Sequence, residues 1–312
     1  MSAKRKRSPS RTGRREATSR TKSQALGEAR IHSISALLEA IEKLADSWTK
    51  RADIEDVRWF RGIDSGAHRL VPGAYWQENA DEVALLNSFY HRSPGYLTDV
   101  PRDEWDWYVL MQHYGMPTRL LDWTENPLVA LYFAIRSHPS GQTPCIWMIN
   151  PGALNKLATK GTDGEPIYPG GGFTKYWLPS REKPFVGVEF TFENKGYSNQ
   201  DPIAILPPRT NARILAQRGA FTLHGARNVC LRDLLIDSGD ASLRMLSRIN
   251  IDPAAIEALR SELALLGIQH SSLFPELQSV VEDIKVEHGV RRPDPVRPTN
   301  SAPRTSRRRG RG

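Results

Sequence analysis

Residues 111–134 read MQHYGMPTRLLDWTENPLVALYFA and join a polar loop to an apolar helix. The helix that follows Pro127 carries apolar side chains on nearly all sides, which is typical of a buried element. Thr124 or Asn126 can cap its N-terminus, and Pro127 fits the first turn, where no backbone N–H is needed. We therefore expect the preceding loop to lie beside the core, where its polar groups need hydrogen-bond partners.

The segments on either side predict an α+β fold with a mixed or antiparallel sheet and flanking helices. Strands and helices do not alternate along the chain as they do in a parallel α/β fold. Capping residues, apolar periodicity and terminating Gly or Pro predict further helices over residues 33–48, 81–91, 101–115, 252–267 and from 274 onward. Apolar runs bounded by turn residues predict strands over residues 57–62, 145–149, 185–192 and 203–206, and a strand pair over 213–224 that is broken at Gly219.

Charge is distributed unevenly along the 312 residues, whose net charge is +8. Residues 1–22 hold nine Lys or Arg and one Glu, and residues 291–312 hold eight Arg and one Asp, so the rest of the chain is net negative. Both ends are poor in apolar residues, which is typical of disordered segments. We predict a disordered basic tail at 1–28, an N-terminal helix at 29–53, a core domain at 54–224, a helical part packed on the core at 225–288 and a disordered Arg-rich tail at 289–312.

The basic tails suit polyanionic partners, because each phosphate that they neutralise releases counterions. Nucleic-acid binding through the tails is one expectation, and solvated tails that only add solubility are the other. No stretch has the apolar length of a membrane span or of a signal peptide core, so we expect a cytoplasmic protein without membrane contact. Cys145 and Cys230 lie in apolar runs and are expected in the core.

Four groups of polar residues stand among apolar neighbours and form the candidate site. They are Arg61-Gly62, His113 with Arg119, Asp122 with Thr124, and Arg213 with Gln217. A buried arginine needs a carboxylate, carbonyl oxygens or a ligand phosphate, since an unpaired buried charge is very costly. Two interpretations stay open: internal ion pairs, such as Arg61 or Arg119 with Asp122, or one polar pocket. His113 lies in the last turn of a predicted helix, where the helix dipole favours a cationic imidazole.

Several enzyme classes lack support in the sequence. There is no Gly-x-Ser-x-Gly nucleophile elbow, no His-Glu-x-x-His metal motif, no Walker motif and no Rossmann fingerprint. We therefore assign no metal site. A metal-dependent nuclease that uses His113 and Asp122 is an alternative, although nothing in the spacing of these residues requires it.

The polar groups occur in motifs that closely resemble the FRG domain family, which is named for a Phe-Arg-Gly motif and is mostly bacterial. These motifs are Trp59-Phe60-Arg61-Gly62, residues 112–124, Asn126-Pro127, residues 130–134, and Arg213-Ile214 with Gln217, Gly219 and Phe221. The resemblance spans about residues 54–224, and residues 273–277 look like the usual C-terminal end of such proteins. It implies a domain type and leaves its reaction open.

The same segments are similar to the motifs of ADP-ribosyltransferases of the Arg-Ser-Glu type. Phe60-Arg61-Gly62 resembles their first core strand, in which Arg contacts an NAD phosphate and Gly receives the nicotinamide amide. Residues 122–133 resemble their Ser-Thr-Ser segment, with Thr124 as the hydroxyl. Gln217 stands where these enzymes carry a catalytic Glu, and a glutamine cannot accept the proton that a catalytic base must take.

This second resemblance implies an ADP-ribosyltransferase-like core that binds NAD or a related nucleotide. The residues expected to bind the cofactor are Arg61, Gly62, Arg119, Asp122 and Thr124. Those expected near the reacting carbon are His113, Glu125 and Gln217, with His113 or Glu125 as the base. A toxin or anti-phage effector would suit such a module, with the tails steering nucleic acid toward the pocket. The alternative is a non-enzymatic nucleic-acid-binding or interaction module in which the same residues form a structural network.

Overall fold

A computed structural model describes residues 27–48, 56–76, 81–137, 141–160, 165–169, 172–209, 211–237 and 245–290. The strands are β1 (Gly27–Ile31), β2 (Trp59–Ile63), β3 (Leu120–Thr124), β4 (Cys145–Ile149), β5 (Glu189–Phe192), β6 (Lys195–Ser198), β7 (Ile203–Ile205), β8 (Gly219–Leu223) and β9 (Leu246–Ile251). The α-helices are α1 (Ile34–Asp46), α2 (Glu82–Arg92), α3 (Glu104–His113), α4 (Pro127–Ile135), α5 (Pro151–Ala158), α6 (Ala212–Gln217), α7 (Leu231–Asp237), α8 (Ile256–Leu265), α9 (His270–Leu273) and α10 (Leu277–Glu287).

Seven strands form one sheet in the order β1-β9-β4-β2-β3-β8-β7. Neighbouring strands run antiparallel, except that β1 and β9 run parallel. β5 and β6 form a separate two-stranded hairpin. The mixed, mostly antiparallel sheet and its surrounding helices confirm the predicted combination of helices and sheet, while an ADP-ribosyltransferase-like core stays a prediction.

Helices cover both faces of the sheet. On one face, α1, α4 and α8 bury an apolar cluster with Phe60, Ile146 and Ile249. On the other face, Trp59 and Trp147 pack with residues of α5 and α7. A third cluster joins α3 to β3, β7, β8 and the aromatic side chains of the β5–β6 hairpin. Because β4 is covered on both faces, all five of its residues are buried.

The close contact between β2 and α4 depends on one glycine. Asn126 caps α4 by accepting a hydrogen bond from the Leu128 N–H at 2.9 Å, and Pro127 occupies the first turn. A Cβ atom on Gly62 would lie 1.8 Å from the Ala130 carbonyl oxygen. Glycine at this position of β2 therefore allows the helix backbone to lie directly on the strand.

Residues 120–124 form strand β3, so the prediction of a loop here was wrong. Four of the five residues are buried and Asp122 is exposed. Every residue of β3 pairs with a residue of β8, from Leu120 opposite Leu223 to Thr124 opposite Gly219. This long-range pairing has no local signal in the sequence, where Pro117 and Asn126 suggest a turn.

Residues 212–217 form helix α6, so the first half of the predicted strand pair was also wrong. The side-chain oxygen of Asn211 accepts hydrogen bonds from the N–H groups of Arg213 and Ile214, which caps the helix. Arg218 ends the helix in the left-handed region, with a φ of 47°. Only the second half of the predicted pair is a strand, β8.

Both ends of the described chain add strands to the sheet. The region 225–288, predicted to be helical, contributes β9, and β1 spans residues that were predicted as tail and as helix. Helix α1 follows β1 with Ser33 as its cap, as predicted. The predicted strand at 185–192 is shorter in the structure, where β5 covers Glu189–Phe192.

Of the disordered basic tails predicted at 1–28 and 289–312, residues 1–26 and 291–312 lie outside the described residues. Among the helices of the described ranges, none is long and apolar enough to cross a membrane.

Candidate functional site

A cleft lies where the sheet opens between β2 and β3. β2 pairs with β4 along all five of its residues, whereas the described pairing of β2 with β3 is limited to Phe60 and Thr124. Residues of α3, α4 and α6 complete the cleft, whose volume is about 270 Å³. Its polar lining consists of Arg61, Gln112, His113, Asp122, Thr124, Arg213 and Gln217. Its aromatic lining includes Phe60, Trp123, Phe133 and Phe221.

Arg61 bridges the opening between the two strands. Its Nη1 donates to the Asp122 carbonyl oxygen at 2.7 Å and lies 3.5 Å from the Asp122 carboxylate. Successive side chains of a strand point to opposite faces of the sheet, so Arg61 lies on the same face as Trp59 and on the opposite face from Phe60. The Arg61 side chain therefore reaches the cleft through the gap in the sheet. Burial lowers the pKa of the Arg61 guanidinium, and the charge of Asp122 opposes that shift.

Asp122 supplies the carboxylate of the cleft. Its two oxygens accept hydrogen bonds from Gln112 Nε2 at 3.0 and 3.1 Å. The Gln112 side-chain oxygen in turn accepts a hydrogen bond from the Thr118 hydroxyl. This chain of hydrogen bonds from α3 fixes the orientation of the carboxylate, which is 57% exposed toward the solvent of the open cleft.

Thr124 and Gln217 join the end of β3 to α6. The Thr124 hydroxyl donates to the Gln217 carbonyl oxygen at 2.6 Å and accepts from the Asn126 N–H at 3.0 Å. A hydroxyl has one hydrogen and two acceptor positions, so one acceptor position of Thr124 remains. The Gln217 side chain donates through Nε2 to the Leu273 carbonyl oxygen at 3.1 Å. This last bond ties the cleft to α9.

Arg213 and His113 form another wall of the cleft. Arg213 Nη1 lies 3.4 Å from the His113 carbonyl oxygen, and its guanidinium carbon lies 4.4 Å from the centre of the Phe274 ring. Burial lowers the pKa of Arg213, whereas the charges of Asp122 and Glu276 raise it. Burial also lowers the pKa of His113, and the Arg213 charge adds to that shift while Glu276 opposes it. The surroundings therefore favour a neutral imidazole, contrary to the expectation of a cationic one.

The cleft is net positive at neutral pH, because its lining holds two arginines and one carboxylate. Guanidinium groups present several N–H donors in a fixed plane and match the oxygens of carboxylates and phosphates. The arrangement therefore suits an anionic ligand that carries both hydrogen-bonding groups and a flat apolar group.

The structure brings six of the eight expected site residues to this cleft: Arg61, Gly62, His113, Asp122, Thr124 and Gln217. Arg119 lies elsewhere and forms an ion pair with Glu82 at 2.8 Å. It also donates to the Gly225 carbonyl oxygen at 2.9 Å. Arg119 and Glu82 are only 12% and 13% exposed, so the pair attaches α2 to the end of β3 rather than lining the cleft.

Glu125 also lies apart from the cleft lining. Its carboxylate pairs with Arg209 and lies 3.8 Å from Arg218 Nε. Of the two residues considered as a base, His113 is therefore the one that lines the cleft.

Sequence reasoning missed two contributors to the site, Gln112 and Phe274. Gln112 had a local signal. It lies three residues after Val109 and next to His113 on α3, and both of these residues line the cleft. Phe274 had none, because its contact with Arg213 joins segments that are distant in the sequence.

No group of three or more His, Cys, Asp or Glu residues that could hold a metal ion occurs within the described ranges. His113 and Asp122, the two residues considered for a nuclease, both line the cleft.

The fold and the site thus define an α+β protein with a positively charged cleft at an opening in a mixed sheet. Residues 56–142 match the model of the FRG domain, so the chain contains an FRG domain. The match runs from β2 to α4 and includes Arg61, His113, Asp122 and Thr124, whereas α6 and α9 lie outside it. No curated protein and no solved structure matches the chain.

Proposed function

We propose that the cleft binds a nucleotide that carries a diphosphate, with NAD as the leading candidate. The observation that supports this most strongly is the pair of guanidinium groups, Arg61 from β2 and Arg213 from α6, in one cleft. Paired arginines suit a diphosphate because each can donate two hydrogen bonds to phosphate oxygens. A single carboxylate, Asp122, leaves the cleft positive enough to attract such an anion.

The size of the cleft suits one half of a dinucleotide. Pockets for small ligands measure about 300–1,000 Å³, and this cleft of about 270 Å³ is at the lower limit. A nicotinamide riboside group would fill it, and the adenosine half would lie over the rim. Phe60, Phe133 and Phe221 offer aromatic surfaces for the flat ring.

The ribose hydroxyls of such a ligand have matching acceptors. Thr124 retains one acceptor position after its bonds to Gln217 and Asn126. The Gln217 side-chain oxygen and the Asp122 carboxylate are further acceptors in the same lining. This set orients a ribose without requiring Gln217 to act as a base.

An ADP-ribosyl transfer in this cleft would use His113 as the base. The bond between the ribose carbon and nicotinamide breaks, and its electron pair leaves with nicotinamide. The acceptor nucleophile bonds to the ribose carbon and gives its proton to the neutral His113 imidazole, whose lowered pKa keeps it unprotonated. The composition of the tails makes nucleic acid the acceptor class to test first, and such an activity would suit a toxin or anti-phage effector.

A second candidate function is an interaction module without a nucleotide. It is favoured by one observation: the Arg61, Asp122, Thr124 and Gln217 side chains already have partners within the protein. In that case the polar network stabilises the opening of the sheet and the basic tails carry the binding function.

Calorimetric titration of the full chain with NAD, ADP-ribose, ADP and AMP separates the two candidates. We expect NAD, ADP-ribose and ADP to bind more tightly than AMP, because only AMP lacks a diphosphate. Arg213→Gln should weaken ADP binding by about 10- to 100-fold, since a hydrogen bond to a charged group contributes about 1.5–3 kcal/mol. Arg30→Gln is the matched control, because Arg30 is 65% exposed and pairs with Asp252 outside the cleft. Equal binding of ADP and AMP, or no binding, contradicts the proposal.

Transfer of label from adenylate-labelled NAD to RNA, DNA and protein tests the enzymatic step separately. His113→Gln should abolish transfer while NAD binding persists, because the base is lost and the arginines remain. Binding without transfer by the unaltered chain would limit the function to nucleotide binding.

A further inference from the structure

A second groove, which we call the α3 groove, runs along the outer side of α3 and continues from the cleft. Val109 of α3 and Ile214 of α6 line both cavities and separate them. The α3 groove measures about 570 Å³, about twice the volume of the cleft. Its apolar walls contain Val100, Pro101, Trp105, Leu110, Pro207 and Pro208.

The rim of the α3 groove is acidic. Its lining contains the carboxylates of Asp99 and Asp106 and one arginine, Arg102. Arg102 lies 3.4 Å from the Asp106 carboxylate, so the charge of that pair is internally balanced. Among the carboxylates that line the groove, Asp99 is exposed and forms no ion pair within the described ranges. The α3 groove therefore combines walls of tryptophan and proline with the negative charge of Asp99. This combination fits cationic peptides that contain proline.

The C-terminal segment of this chain has the matching composition. Residues 291–312 contain eight arginines, four prolines and one aspartate. Residues 1–26 are also basic, but they contain one proline. Complementarity of charge and side-chain type thus favours the C-terminal segment over the N-terminal one.

The C-terminal segment is also long enough to reach the groove. Helices α9 and α10 lead to Val290, and α9 contacts α6 through the bond between Leu273 and Gln217. α10 has 11 residues and spans roughly 16 Å, whereas a chain of 22 residues can span about 70 Å when extended.

We propose that residues 291–312 bind in the α3 groove of the same chain, with arginines beside Asp99 and prolines against Trp105 and Pro208. This interaction places a cationic segment next to the cleft. The groove and any polyanionic partner then compete for the arginines of the segment. It does not depend on which ligand the cleft binds.

Photo-crosslinking in the full chain tests this proposal. A benzoyl-phenylalanine replaces Val100, which lines the groove and is 61% exposed, or in the control Leu38, which is 50% exposed on α1. We expect crosslinks from position 100 to peptides of residues 291–312, at a yield several-fold above that from position 38. Mixing isotopically light and heavy chains identifies crosslinks within one chain. Equal yields from both positions, crosslinks to residues 1–26, or crosslinks that join light to heavy chains overturn the proposal.

Charge reversal provides the second measurement. Asp99→Lys should lower the yield of the crosslink from position 100 by about fivefold, the upper range for one exposed ion pair. Glu39→Lys on α1 makes the same change in net charge far from the groove, and it should leave the yield unchanged. Equal melting temperatures confirm that both variants are folded. A yield that is unaffected by Asp99→Lys contradicts the assigned charge contacts and overturns the proposal.

Discussion

Gly62 contributes both to the packing of β2 against α4 and to the lining of the candidate site. It lines the cleft, and it also lies against the backbone of α4. The resemblance to ADP-ribosyltransferases implies a role in receiving nicotinamide, whereas the contact with Ala130 explains the need for glycine without any ligand. A change in this residue should therefore affect stability even when no ligand is present.

Gly62→Ala should destabilise the fold by about 3 kcal/mol or more, because the new methyl group forces the strand and helix backbones apart. Urea unfolding measures this change. Gly95→Ala is the control, since a Cβ at Gly95 meets no atom within 4 Å. Similar stabilities for the two variants would show that α4 does not rest on β2 as described.

His224 gives the fold a dependence on pH. Burial, together with the charges of Arg119 and Arg61, lowers the pKa of His224 to about 3. The unfolded chain binds a proton at an ordinary histidine pKa of about 6.5, which the folded chain does not bind until much lower pH. The free energy of unfolding should therefore fall as the pH decreases below about 6.5, by about 2 kcal/mol between pH 7 and pH 5.

Urea unfolding at pH 7, 6 and 5 measures this effect, with His224→Gln as the test variant and exposed His91→Gln as the control. The slope of stability against pH should decrease in His224→Gln and stay unchanged in His91→Gln. An unchanged slope in His224→Gln would contradict the assignment, whatever the absolute stability of the variant.

At the scale of elements, the attachment of α2 to the sheet rests on the ion pair between Glu82 and Arg119. Glu82 also accepts a hydrogen bond from the Tyr108 hydroxyl at 3.0 Å, so α2, α3 and β3 meet at this carboxylate. Arg119 was expected among the residues that bind the cofactor in the cleft. Its place in this separate cluster explains its burial without a ligand.

Glu82→Gln should destabilise the protein by about 3 kcal/mol, because it leaves a nearly buried arginine without its carboxylate. Glu257→Gln is the control: its pair with Arg260 is exposed and should contribute less than about 1 kcal/mol. Chemical denaturation of both variants gives the comparison. Equal losses would mean that the Glu82 pair is no more important than a surface pair.

The elements that the sequence predicts well are those with local signals. Ser33 caps α1, Asp81 caps α2, and Asn126 with Pro127 begins α4, all within the predicted positions. β4 follows from its continuous apolar run. These features depend on neighbours in the chain, so a local pattern is enough to identify them.

The elements that the sequence predicts poorly depend on distant partners. β3 is a strand because β8 pairs with it, and β1 exists because β9 offers a parallel edge. α6 replaces a predicted strand because Asn211 caps it, a signal weaker than the apolar pattern of Ile214 and Leu215. In the candidate site, motif order identified Arg61, Asp122 and Thr124, but Phe274 requires the tertiary fold.

At the scale of the whole molecule, the cleft joins regions from inside and outside the FRG match. β2, α3, β3 and α4 lie within residues 56–142, whereas α6 and α9 come from the later part of the chain. Arg213 and Gln217 therefore complete a cleft that the matched segment alone only begins. A ligand that contacts Arg61 and Arg213 would use both regions at once.

A crystal structure of the full chain with ADP-ribose, at a concentration that saturates binding in the calorimeter, tests the central claim most directly. We expect the diphosphate within hydrogen-bond distance of the Arg61 and Arg213 guanidinium groups, and a ribose hydroxyl beside Thr124 or Gln217. An empty cleft, or a diphosphate held outside it, would contradict the nucleotide proposal and favour the interaction module.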